Sequence, residues 1–262
     1  MPPEWIEQLT QLDPKNLVPS SCQFILESWS WYNNAFFPVS YKQFAAEIGK
    51  ALPATNVVRL NPGASIILNK SSIESASRLP WVKPIGDQDV DYEYNRNIKP
   101  PPTSEIARHF PLTSEQKERV LEYCQQGLLQ KFSSMEPPMD EYFEKPRLWR
   151  LSLYDDLGVV TQFHYNLVGS DIELLGAWDE PLAWTTEVPI AKVYAALELG
   201  ESLTSMYMRI NEMVFDLGIE KEIGSADIVE DPLIRCLFNG AFGAYQMAQL
   251  KRLKSKSGVA TQ

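Results

Sequence analysis

Residues 149–166 read Trp149-Arg-Leu-Ser-Leu-Tyr-Asp-Asp-Leu-Gly-Val-Val-Thr-Gln-Phe-His-Tyr-Asn166, and the fold turns on them. Two runs of alternating side chains flank Asp155-Asp156-Leu157-Gly158. That tetrad suits a type I turn closed by a left-handed glycine and a one-residue bulge. The turn sets a register: Tyr154 faces Val160, Leu151 faces Phe163, Arg150 faces His164 and Trp149 faces Tyr165. One face then holds Trp149, Leu151, Leu153, Phe163 and Tyr165. The other holds Arg150, Ser152, Gln162 and His164, with Asn166 continuing the row. A slip of one residue would mix the two faces, so the sorting itself supports the register. Ile172 to Leu175 extends the sheet by a third strand.

Downstream, residues 190–217 carry an apolar stripe at helical spacing, from Val193 and Leu197 to Met213 and Leu217, running across Gly200. A second helix starts at Asp231 as cap, with Pro232 at its first position, and runs to about Leu253. These two helices are expected as a hairpin covering an antiparallel sheet. Upstream, Thr113 and Gln116 have capping-box spacing, and Val120, Leu121, Cys124, Leu128 and Leu129 form the apolar face of a helix weakened by Gly127.

The N-terminal part reads as helices at 5–12, from Ser20 or Ser21 to Phe37, and from Ser40 to Leu52, where Ser40 and Gln43 again have box spacing. Val57–Leu60 and Ser65–Leu68 flank Asn61-Pro62-Gly63-Ala64, a turn tetrad. Helices followed by such a hairpin resemble a winged-helix domain over residues 20–72, on element order alone. The resemblance implies contact with protein or nucleic acid. Pro100-Pro101-Pro102, preceded by Asp87, Asp89, Asp91 and Glu93, favours an extended spacer. The expected class is therefore α+β: a helical/β-hairpin domain at 1–82, a Pro-rich acidic linker at 83–105, and an α+β domain at 106–262.

Charge is distributed unevenly. The 262 residues carry a net charge of −10. Between Leu151 and Glu230 there are fifteen carboxylates against Lys192, Arg209 and Lys221, and residues 151–191 hold no Lys or Arg. Such a field disfavours nonspecific binding to phosphate backbones or anionic membranes. It suits a basic partner, with aromatic anchors supplying affinity. Asp171, Glu173, Trp178, Asp179, Glu180 and Trp184 are the candidate partner-binding residues. This reading makes the protein a non-enzymatic adaptor or accessory subunit, with nucleic acid reached indirectly or through the N-terminal region.

The alternative is a small-molecule lyase or hydrolase with a pocket on the polar sheet face. There Arg150, Ser152, Gln162, His164 and Asn166 are the candidate ligand-binding residues, Arg150 holding an anion and His164 moving protons. No hydrolase elbow surrounds Ser152. With His109 and His164 the only histidines, and no Cys spaced for a finger, no metal site is expected. The alternating acids at 87–93 lack the glycine and glutamate of a calcium loop. Phosphate-binding glycine motifs are missing, so no cofactor is expected either. Cys22, Cys124 and Cys236 suit reduced thiols, and together with the absence of a signal pattern or a long apolar run they point to a cytoplasmic location.

Overall fold

The computed structural model describes residues 1–20, 25–35, 40–69, 72–82, 89–139, 141–176, 181–201, 208–210 and 230–237. Contacts divide the chain into two compact units, Met1–Pro100 and Pro101–Gln262. The architecture is mixed helix and sheet, and among the described residues no helix is long and apolar enough to cross a membrane.

The first unit contains α1 (Pro3–Leu12), β1 (Asn16–Leu17), α2 (Tyr32–Ala35), α3 (Tyr41–Ala51), β2 (Asn56–Val57), β3 (Ser65–Leu68) and β4 (Ile73–Ala76). Ser40 caps α3 by accepting the amide of Gln43 at 3.1 Å, but the Gln43 side chain turns to Glu47 rather than closing a box. The helix expected from Ser20 onward is confined to α2 within the described residues. Asn33 is the reason: its carboxamide accepts the amide of Leu26 and donates to the carbonyls of Leu26 and Glu27, which replaces helical bonding there.

The hairpin expected around Asn61–Ala64 is not formed. β3 pairs antiparallel with β4, and β2 pairs in parallel with β1. Arg59 is taken up elsewhere. It bonds Asp91 at 2.9 Å and lies 4.6 Å from the centre of the Tyr41 ring, tying the acidic segment to α3. The hairpin that follows α3 is thus formed by β3 and β4, one strand later than expected.

The second unit contains α4 (Thr103–Ala107), α5 (Ser114–Glu122), a π-helical turn at Tyr123–Gly127, α6 (Leu128–Ser133), β5 (Arg147–Tyr154), β6 (Val160–Val168), β7 (Asp171–Leu175), β8 (Trp184–Pro189), α7 (Ile190–Leu199), β9 (Arg209–Ile210) and α8 (Pro232–Leu237). Thr113 and Gln116 make both halves of the capping box. The β5–β6 register is the expected one, from Trp149 opposite Tyr165 to Tyr154 opposite Val160. Gly158, at φ 80°, takes the left-handed position, and the Asp155 amide bonds the Val159 carbonyl.

The sheet is mixed, in the order β7-β6-β5-β8-β9, and not antiparallel as expected. β8 lies parallel to β5, pairing Trp149 with Trp184 and Leu153 with Val188. The helix expected over 190–217 ends at Leu199. Gly200, at φ 68°, closes it left-handed, and the chain returns as β9 beside β8. The remainder of that helix, and of the second one beyond Leu237, lies outside the described residues.

Buried side chains from α5, α6, α7, α8 and one sheet face form the core, with Trp149, Leu151, Tyr165, Trp184, Val193 and Leu233 at its centre. Within it is a polar knot. The Trp149 indole donates to the Thr186 hydroxyl at 2.9 Å, Thr186 donates to Asp231, and the Trp184 indole donates to the same Asp231 oxygen at 2.8 Å. The other oxygen of Asp231 accepts the amides of Leu233 and Ile234, capping α8 as its sequence indicates. Burial pushes the Asp231 carboxyl up, and these four donors oppose the shift.

Candidate active site

The opposite sheet face is built in rows, because paired residues on neighbouring strands project to the same side. One row crosses the sheet as Leu175, His164, Arg150 and Thr185. The next runs Gln162, Ser152, Glu187 and Arg209. Before them stand Glu173, Asn166 and Leu148, and after them Tyr154 opposite Val160. The sequence-derived set of Arg150, Ser152, Gln162, His164 and Asn166 is thus gathered on one face.

Their environments differ. Ser152 is 0% exposed and its hydroxyl accepts the Gln162 carboxamide at 3.3 Å, so it is sequestered. Arg150, His164 and Asn166 are half-buried, and Gln162 is exposed. Directly paired Cβ atoms in a sheet lie about 5 Å apart, which places the Arg150 guanidinium within reach of the His164 ring. Burial, and then the Arg150 charge, hold the His164 imidazole below its ordinary range. The Asn166 Oδ1 is enclosed and accepts no hydrogen bond among the described residues.

Sequence reasoning missed the β8–β9 contribution. In the sequence Glu187 is one acid among many of the run, yet parallel pairing sets it beside Ser152, where Thr103 of α4 donates to it at 3.2 Å. Arg209 donates to the Pro101 carbonyl, fastening the segment that leads into α4. Burial, and then the Glu187 carboxylate, push the Tyr154 hydroxyl up. Residues 184–189 read Trp-Thr-Thr-Glu-Val-Pro, without strict alternation, and so lack the signal of a half-exposed strand.

A cavity of about 290 Å³ lies elsewhere, walled by Met135, Pro137, Met139 and Ile234 with the Glu230–Arg235 pair. Those two charges are 2.6 Å apart and spent on each other.

No protein-family model matches the chain, and no curated protein matches it. Solved structures similar to it include the MycE methyltransferase from the mycinamycin biosynthetic pathway in complex with Mg, SAH and mycinamycin VI. That match has 16% identity over 51% of this chain and 42% of that one, with a TM-score of 0.30. The same enzyme with Mg and SAH, in crystal form 1, gives 14% identity over 52% and 36% of the two chains, with a TM-score of 0.31. The chain thus spans 36–42% of the length of these structures.

The non-enzymatic adaptor expectation is corrected here. Among the described residues, the acidic run on which it rested is partly taken up within the fold. Lys117 contacts Asp155 at 3.1 Å and Asp156 at 2.6 Å, Arg119 holds Glu198 at 3.0 Å, and Arg235 holds Glu230, so cations from outside the run meet these four of its acids. Of the candidate partner residues, Asp171 and Glu173 are exposed on the edge strand β7, and Trp184 is a core residue at 1% exposure. Trp178, Asp179 and Glu180 lie outside the described residues. Neither a basic protein nor a nucleic acid finds support in this arrangement. Cys124 and Cys236 are free and buried, and Cys22 lies outside the described residues.

Proposed function

We propose that the second unit carries out acid–base chemistry on a small anionic substrate, of the lyase or hydrolase kind, on the polar face of its sheet. The observation that carries this reading is the Arg150–His164 pair, directly opposed across β5 and β6 and half-buried, with burial and the Arg150 charge holding the imidazole below its ordinary range. A guanidinium presents a planar fork that matches a carboxylate or phosphate. A neutral imidazole accepts a proton at physiological pH.

The pairing has a further consequence for the chemistry. An anion bound at Arg150 offsets the charge that depresses His164, so substrate binding raises the basicity of the neighbouring base. Asn166 adds an acceptor on the same side, and Ser152 stays out of the reaction because it is buried.

The test is a thermal-shift screen of the full chain with inorganic phosphate and a panel of small mono- and dicarboxylates. Stabilisation by at least one anion is expected, to be lost in Arg150→Met and in His164→Gln. Charge reversal at Asp171 and Glu173 should leave it intact. Stabilisation that survives Arg150→Met would refute the assignment.

A further inference from the structure

We infer that the first unit is a self-association module: two copies of the chain join edge to edge through β3. This strand pairs only with β4, from Ser65 opposite Ala76 to Leu68 opposite Ile73. The Asn69 amide donates to the Ser72 carbonyl at 2.9 Å, which makes these two a bonded pair of the same ladder. Bonded and non-bonded pairs alternate along an antiparallel ladder. Ile67–Glu74 is therefore bonded, while Ile66 and Leu68 turn their amides and carbonyls to the outer edge. Those outward groups have no hydrogen-bond partner among the described residues. Ile67 is 50% and Leu68 65% exposed in the whole chain, so nothing covers the edge. A two-stranded ribbon is marginal in water, and further strands complete it.

The occupant is a second copy because the edge is complementary to itself. Antiparallel pairing about a two-fold axis at Ile67 sets Ile66 of each copy opposite Leu68 of the other, each pair exchanging both of its hydrogen bonds. Ile67 meets Ile67 at the axis, and no charge lies on Ser65–Leu68. An axis at Ile66 would need the Ala64 amide, which already donates to the Asn61 carbonyl at 2.9 Å. The edges of comparable length oppose the same operation. On β4 the equivalent axis falls on Glu74, and on β7 it falls on Glu173, setting a carboxylate against its own copy in each case. Charged residues of this kind protect a sheet edge from pairing, and β3 lacks them. The joined sheet has the order β4-β3-β3-β4, so Glu74 stands on both of its outer strands and association stops at two copies.

The experiment is sedimentation equilibrium of the full chain from about 1 µM to about 1 mM, because a contact this small falls below the standard interface of about 1,600 Å² and binds weakly. A monomer–dimer equilibrium is expected, rising from 29.8 kDa toward twice that mass. Ile67→Lys and Ile67→Glu change a half-exposed side chain and should leave the far-ultraviolet circular dichroism unaltered. Each puts like charges at the axis and should weaken association at least about tenfold. An equimolar mixture of the two variants should recover the dimer, since opposite charges then meet across the axis.

A native chain that stays monomeric at the highest concentration would overturn the inference. A dimer that survives both substitutions would lie on another surface and overturn it as well. A mixture of the variants that remains monomeric would remove the axis at Ile67, and growth beyond two copies would remove the closure by Glu74; either result refutes the assignment.

Discussion

Asp231→Ala tests how the buried polar knot supports the fold. The substitution removes three things at once. Loss of the α8 cap costs about 1 kcal/mol. The Trp184 indole, left as a buried donor without its acceptor, costs about 2 kcal/mol, and the hydroxyl-to-carboxylate bond from Thr186 about 2 kcal/mol more. Against this, release of a buried carboxylate returns roughly 2 kcal/mol. The expected net loss is about 3 kcal/mol.

Thr186→Val should cost a similar amount, because it strands the Trp149 indole and removes the same bond to Asp231. The two variants share one interaction, so the double variant should fall short of additivity by about 2 kcal/mol. Urea unfolding followed by the fluorescence of the buried tryptophans measures all three. Additivity within about 0.5 kcal/mol would refute the network, since independent sites add to that tolerance.

Asp231→Asn removes the titrating group and keeps the Oδ1 cap, although its amide nitrogen cannot accept from Trp184 and Thr186, a loss that does not vary with pH. The Asp231 carboxyl is raised in the folded state above its ordinary 3.8. Its contribution to stability is therefore full below that value and falls as pH rises through the folded pKa. The stability difference between native protein and Asp231→Asn should favour the native protein increasingly as pH is lowered toward 4. A difference that is flat with pH, or grows in the opposite sense, would refute the assignment.

Gly127→Ala should destabilise by about 1–2 kcal/mol in a melting experiment, because the added Cβ would meet the buried Tyr123 ring at 2.6 Å; an increase in stability would show that the ring yields. Arg150→Met should let His164 titrate nearer 6.5, read from its imidazole resonance by NMR; an unchanged titration would mean that the two charges do not interact. Because the folded His164 resists protonation, its contribution to stability is intact above 6.5 and lost as pH falls below it, a slope that His164→Gln should remove. Gly158→Ala should cost about 1–2 kcal/mol, since its φ of 80° is strained for any side chain; unchanged stability would mean that the turn has relaxed.

The elements legible in advance were those specified by near neighbours. The Asp155–Gly158 turn and the alternation on either side of it set the β5–β6 register, because a slip would exchange the two faces. Thr113 with Gln116, Ser40, and Asp231 with Pro232 marked helix starts through bonds that span two or three residues. The polar face of Arg150, Ser152, Gln162, His164 and Asn166 followed from the same register. Gly127 and Gly200 were read by propensity alone, one as a weak point and the other as part of a longer helix. In the fold the first gives room to the Tyr123 ring and the second ends α7.

What lay beyond the sequence was every contact between segments far apart in the chain. Parallel pairing of β8 with β5 joins positions 149 and 184, and no local pattern announces it. That single pairing buries Trp184, which the sequence had presented as a surface anchor, and brings Glu187 and Arg209 to the polar face. It also places Thr186 where Asp231 can reach it. The charge count misled for the same reason, since Lys117 and Arg119 come from another part of the chain to meet the acids of 155–198. Alternation, capping and turn chemistry are short-range and are written residue by residue. Which strand lies beside which, and which charge finds which partner, depends on burying one common core, and only the folded chain decides that.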